Sequence, residues 1–180
     1  MYEELKYWQA REEPNDGKPA PDEFIDYVTT QLGNSYSIIE VGPGVGRIFP
    51  AYKNVKELEC CDIHPKYYDK LAAEALKMDF ALHFTEVPVG KLPFEDNQFD
   101  SSVCVQVLLH QRPQHIEAMM HELVRVAQRA IVISMHYEVP IKLAEHCFNH
   151  DYLGICKNNG WTVSNIVRLP EQLCFTMEGN

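Results

Sequence analysis

A chain of 180 residues with 46% hydrophobic content fits a single domain, and at this length folding buries roughly 70% of the surface that the unfolded chain exposes. The net charge of −10 and pI near 5.2 argue against nucleic acid as a partner, because affinity for a phosphate backbone rests on clustered Lys and Arg that release counterions. No apolar run approaches the roughly 18 residues that span a bilayer, and Met1 to Arg11 lacks the apolar stretch of a signal peptide, so a cytoplasmic protein without membrane contact is expected. Six cysteines without CxxC spacing are expected to be reduced thiols, mostly in the core. Lys66, Lys70, Lys77, Arg125 and Arg129 fall at helical spacing and are expected on solvated helix faces.

Along the chain, an aromatic helix over Tyr2 to Arg11 is followed by a Pro-, Gly- and Asp-rich stretch and a second helix over Asp22 to Leu32. From Ser35 onward, β-branched runs alternate with helical patterns, the signature of βαβ units and a mostly parallel sheet. Strands are predicted at Ser37 to Val41, Glu57 to Cys61, Ala81 to Val87, Phe99 to Val107 and Ala130 to Met135. Helices are predicted over Pro65 to Met78, Pro113 to Gln128 and Lys142 to Asn159, the last open to a break near Asn149 and stopped by Gly160. Two final strands, Thr162 to Arg168 and Gln172 to Met177, are joined by a connection too short for a helical crossover and must form an antiparallel edge hairpin. The expected architecture is one doubly wound α/β domain with a seven-stranded, mostly parallel sheet. Residues 1–34 form a helical cap or lid, and residues 35–180 form the core.

Glu40-Val-Gly42-Pro-Gly44-Val-Gly46 follows the first strand directly, where a doubly wound sheet presents its ligand crevice. Glycines there let the backbone turn sharply and let a ligand approach closely. A dinucleotide fingerprint needs its third glycine three residues after the second, and Arg47 occupies that position, which weakens an NAD reading. Asp62 follows Gly46 by sixteen residues and ends the second strand, where a carboxylate can accept both hydroxyls of a ribose.

These residues, with Leu92-Pro93-Phe94, Phe99-Asp100, Val107-Leu-Leu-His110 and Glu122-Leu-Val-Arg125-Val126, resemble class I S-adenosylmethionine-dependent methyltransferases, especially the broad small-molecule branch known as the type 11 group. The resemblance runs from about Ser37 to Met135. It implies that the glycine turn holds the methionine end of S-adenosylmethionine, that the acid after the second strand holds the ribose, and that the segment before Leu-Pro-Phe flanks the adenine. The implied cofactor set is Glu40, Gly42, Gly44, Gly46, Asp62, Ile63, Glu86, Leu92 and Gln106. Glu86 enters it because Thr85-Glu86-Val87-Pro88 stands where many members carry an Asp toward the adenine amine. The usual Pro-Gly-Gly turn before the fifth strand is replaced by Val126-Ala-Gln-Arg-Ala130, a shortened connection.

A sulfonium methyl is already activated, so the chain mainly has to align an acceptor and exclude water, with a base where the acceptor is protonated. His136, after the fifth strand, is the candidate catalytic base. His110 is expected to pack or to face the cofactor. Tyr7, Trp8 and Arg11 are candidates for a lid whose aromatic faces meet the sulfonium. His146 and His150 fall four apart on a predicted helix, a spacing that can bind zinc. No third ligand accompanies them at a convincing spacing, and no metal is expected. The resulting expectation is metal-independent methyl transfer to a small-molecule acceptor. A methyltransferase-like binding or regulatory module without activity is the alternative, with an NAD-binding protein behind it.

Overall fold

The computed structural model describes residues 2–10, 18–87, 90–135 and 146–179. Seven strands, β1 (Ser37–Val41), β2 (Glu57–Asp62), β3 (Ala81–Glu86), β4 (Phe99–Val105), β5 (Ala127–Met135), β6 (Thr162–Arg168) and β7 (Gln172–Glu178), form one sheet in the order β3-β2-β1-β4-β5-β7-β6. The first five run parallel. β7 enters antiparallel between β5 and β6, so the two final strands form the expected hairpin at one edge. Strand order reverses between β1 and β4, which opens a crevice at their C-terminal ends.

Strict alternation along the central strands explains why both faces of the sheet are covered. Ile38, Cys60, Val103 and Ile131 point to one core. It also contains Phe24, Val28 and Leu32 of α2 (Asp22–Leu32) and Leu71 of α3 (Tyr68–Ala75). Their neighbours Ile39, Cys61, Cys104 and Val132 point to the other, shared with Met119, Met120 and Leu123 of α4 (Ile116–Arg125) and Tyr152 and Cys156 of α5 (Tyr152–Asn158). Period-2 side-chain geometry in a strand buried on both faces requires this division. Each large aliphatic side chain so buried contributes roughly 1.5–3 kcal/mol of transfer free energy. α2 begins with Asp22 and Glu23 in its first turn and ends at Gly33, whose φ is 55°; acids at the N-terminus and glycine beyond the C-terminus suit the helix ends.

Several boundaries differ from the sequence expectation. The helix expected from Pro65 begins as a single 3-10 turn, Pro65–Tyr67, with His64 Nδ1 accepting from the Lys66 backbone N–H at 3.0 Å. β4 stops at Val105 because Gln106 takes a φ of 59°, which a continuing strand does not allow. β5 starts at Ala127, one residue beyond the α4 cap Val126, and pairs Ala127 with Phe99. The shortened connection is therefore shorter than expected.

The largest correction concerns the helix predicted over Lys142 to Asn159, where the break allowed near Asn149 takes up the whole 147–151 stretch. Residues 142–145 lie outside the described residues, and residues 147–151 are not helical. Phe148 N–H donates to the Leu109 carbonyl at 2.7 Å, and His150 Nε2 meets the Gln111 carbonyl at 2.8 Å. Asp151 then caps α5 by accepting from Gly154 N–H at 2.9 Å. Hydrogen bonds to the loop after β4 replace the intrahelical ladder, and an Asp suited to the N-cap sets the start. His146 and His150 therefore do not share a helical face.

Candidate cofactor and acceptor site

The crevice at the β1/β4 reversal is a cavity of about 320 Å³, within the size range of small-molecule sites. Glu40, Gly42 and Gly44 line it from the end of β1, Asp62 and Ile63 from the end of β2, and Gln106 from the end of β4. Leu92 closes it from the loop before β4, and Trp8 of α1 (Tyr2–Ala10) lines it from the cap. Two residues of the expected set stand apart. Gly46 is not in the wall; a side chain there would meet Phe49 and Leu71. Glu86 is exposed at the end of the edge strand, and the next residue, buried Val87, faces the cavity instead. His136 lies outside the described residues, as does Arg11.

The glycine turn is required by close packing. Gly42 donates its N–H to the Cys61 carbonyl at 2.8 Å and has a φ of 72°. A Cβ on it would come within 2.3 Å of Val107 Cγ2. Positive φ and the absence of room both select glycine.

The two carboxylates are the charged features of the strand ends. Glu40 shares its face of β1 with Ile38 and is only 2% exposed, and its Oε2 has no hydrogen-bond partner. Burial pushes its pKa up to about 7; the Tyr52 hydroxyl pulls it down and Asp62 adds to the rise. No hydrogen bond of proper geometry joins Glu40 Oε2 to that hydroxyl, which is itself unsatisfied. Asp62 is raised to about 6 by burial, opposed by the backbone N–H groups of His64 and Ile63 and by the His64 ring. An orphaned, buried carboxylate oxygen beside a second carboxylate is a receptor for a cation or for hydroxyl donors. This pair of carboxylate acceptors therefore fits the ammonium and ribose groups of S-adenosylmethionine.

The surrounding loops are held by specific bonds. Arg125 Nε and Nη2 donate to Glu122 at 2.7 and 2.8 Å, and its Nη groups also reach the Leu92 and Phe94 carbonyls and Asp96. Glu122 Oε2 accepts from Leu92 N–H at 2.7 Å. Arg125 is thus no solvated surface residue; it clamps the loop carrying Leu92 onto α4. Lys66 Nζ donates to the Gln9 carbonyl at 3.0 Å, tying α1 to the loop after β2. Sequence reasoning missed Gln111, which lines the cavity at 5% exposure with an unpaired Oε1. It also missed Val87 and Met119. A strand-end position signalled Val87, whereas nothing in the local pattern marked Gln111.

Among the described residues no helix is long and apolar enough to cross a membrane. The fold is that of known proteins. N-methyltransferase NodS from Bradyrhizobium japonicum WM9, solved with S-adenosyl-L-homocysteine, aligns over 99% of this chain and 97% of its own at 13% identity and a TM-score of 0.80. Magnesium protoporphyrin IX methyltransferase from Synechocystis PCC 6803, with bound SAH, covers 88% and 83% at 16% identity and a TM-score of 0.69. An S-adenosylmethionine-dependent methyltransferase from Aquifex aeolicus covers 85% and 88% at 18% identity and a TM-score of 0.64. These identities show the fold alone. No curated protein sequence matches the chain. A family profile described as a methyltransferase domain matches residues 39–132, more than half of the chain. The chain therefore belongs to the class I methyltransferase-domain family, whose cofactor is S-adenosylmethionine.

Proposed function

We propose that the protein transfers the methyl group of S-adenosylmethionine to an oxygen, nitrogen or carbon of a small-molecule acceptor. The observation that carries this reading is the pair Glu40 and Asp62, one buried and one half-buried carboxylate at adjacent strand ends of one cavity. Glu40 would take the cofactor's ammonium and Asp62 its ribose hydroxyls, with Gly42 and Gly44 letting the methionine portion lie against the backbone. Ile63 and Leu92 would flank the adenine, and Gln106 would border the methionine end. The small cavity, with Trp8 of α1 in its wall, favours a metabolite over a macromolecule as acceptor. Transfer is an in-line displacement with a neutral thioether leaving group, so alignment and exclusion of water supply most of the acceleration. Where the acceptor carries a proton, His136 is the proposed base, and His136→Ala should then lower kcat and remove the acidic limb of its pH profile.

Calorimetric titration with S-adenosylhomocysteine tests the cofactor assignment. Binding in the micromolar range is expected, with Asp62→Ala weakening it by roughly tenfold or more, as loss of a charge-assisted hydrogen bond of about 1.5–3 kcal/mol implies. Failure of the wild-type protein to bind even at millimolar ligand would remove the basis of the reading. Incubation of a metabolite pool with methyl-labelled cofactor then tests transfer: appearance of a labelled small molecule is expected, and its absence would leave the chain a binding module.

A further inference from the structure

The correction to the 142–159 segment brings together three metal-ligating residues that the sequence kept apart. His110 lies in the 3-10 turn after β4, and His146 and Cys147 lie in the non-helical stretch before α5. One ring nitrogen of each histidine and the Cys147 sulfur gather within 4.8 Å of one another, and Sγ is 3.6 Å from His110 Nδ1. Both histidines line the cofactor cavity. We infer that His110, His146 and Cys147 bind a zinc ion at the acceptor side of that cavity.

Ligand atoms in a tetrahedral zinc site with bonds of about 2.0–2.3 Å stand roughly 3.3–3.8 Å apart. Closing the observed cluster onto an ion therefore needs side-chain shifts of about 1 Å. The donor set is one thiolate and two imidazoles, which suits zinc among the common divalent ions. Cys147 is the one cysteine of the six that is not buried, and burial raises the thiols of the other five. The Tyr7 hydroxyl, 3.0 Å from His146 Nε2, is an outer contact of the kind that orients a histidine ligand, whereas His110 Nδ1, 3.0 Å from the His146 carbonyl, would exchange that carbonyl for the ion. Trp8 packs edge-on against His110 at 4.7 Å and Tyr7 stacks on His146 at 4.2 Å, so both rings are held in place by α1. A net charge of −10 favours capture of any cation.

Three protein ligands leave a fourth position, and with both histidines in the cavity wall that position is reached from the cavity. Zinc there would bind an acceptor thiol or hydroxyl, whose proton leaves to solvent as the ion lowers its pKa. The bound heteroatom's electron pair would form the new bond to the methyl carbon while the sulfonium carbon–sulfur bond breaks toward the cofactor's sulfur. This role rests on the proposed function; the metal binding itself does not. It departs from the sequence expectation of a metal-independent reaction.

The test uses the full chain, stripped with a chelator and titrated with Zn²⁺ in competition with a chromophoric chelator, without cofactor. One ion per chain with an apparent Kd of about 1 µM or tighter is expected. Cys147→Ser and His110→Ala should each weaken it at least about tenfold, Tyr7→Phe by less, and His83→Ala, at an exposed histidine on β3, not at all. Substitution with Co²⁺ should give tetrahedral d–d bands and a thiolate charge-transfer band that Cys147→Ser abolishes, and 2-mercaptoethanol should shift the d–d bands by taking the fourth position. A Kd weaker than about 100 µM, or affinity indifferent to Cys147→Ser and His110→Ala, would overturn the site. Bands unmoved by the thiol would overturn the open position. Binding of S-adenosylhomocysteine to the same stripped protein separates the two readings: retained without zinc binding, it leaves the cofactor assignment standing and the metal site refuted.

Discussion

At the scale of single residues, Gly42 is where sequence, backbone and cavity wall meet. Its φ of 72° lies in the left-handed region, and its missing side chain makes room for Val107. Gly42→Ala combines about 1–2 kcal/mol of backbone strain with about 1–3 kcal/mol of overpacking. Gly33 offers the matching control, since its φ is 55° but no atom lies within 4 Å of an added Cβ. The melting temperature should therefore drop by roughly 4–20 °C for Gly42→Ala and by only about 2–8 °C for Gly33→Ala. S-adenosylhomocysteine affinity should fall only in the first. Equal losses of stability in both variants would mean that Val107 yields and that φ alone selects glycine at position 42.

At the scale of elements, the clamp between α4 and the loop before β4 is the contact on which the cavity wall depends. Glu122 is 7% exposed and is shared between the Arg125 guanidinium and Leu92 N–H, so its pKa is held low chiefly by Arg125. Arg125→Met leaves a buried carboxylate without its counter-ion, at a cost of about 3 kcal/mol and roughly 6–12 °C in Tm. Adding Glu122→Gln should restore part of that loss, because removing both charges leaves none unpaired; a double variant no more stable than Arg125→Met would show that the two do not act as a pair. This clamp also marks where the sequence is legible. β1, β2 and the β6–β7 hairpin could be read because buried runs, strand-end acids and a short connection are local signals, and Glu40, Gly42, Gly44 and Asp62 follow from them. Arg125 looked solvated because, Glu122 apart, its partners Leu92, Phe94 and Asp96 lie some thirty residues away in the chain. The extent of the break over 147–151 was not legible because its bonds to Leu109 and Gln111 are equally non-local, and the gathering of His110 with His146 was hidden for the same reason.

At the scale of the whole molecule, the proposed seating of the cofactor ammonium on Glu40 would make stability and cofactor binding respond oppositely to pH. Glu40 and Asp62 have pKa values of about 7 and 6 in the folded protein, above the ordinary carboxylate range. Between the unfolded and folded values the native state holds protons that the unfolded chain has released. The associated stability is therefore full below about pH 4 and is lost as pH rises through about 7, with a magnitude near 3 kcal/mol for Glu40 alone. Glu40→Gln removes this dependence while preserving shape, so the stability difference between wild type and variant should move in the variant's favour from about pH 5 to pH 8 in urea denaturation. The ligand reverses the preference, because a cofactor ammonium beside Glu40 favours the ionised carboxylate. Calorimetry across the same range should show S-adenosylhomocysteine binding the wild type more tightly as pH rises toward 7, then levelling, with proton release on binding below that pH. Glu40→Gln should bind weakly and lose the part of this slope that Glu40 supplies, leaving the shallower dependence of Asp62 near pH 6. An affinity for the wild type that does not change with pH would mean that the ammonium is held elsewhere, and that the orphaned carboxylate serves a different group.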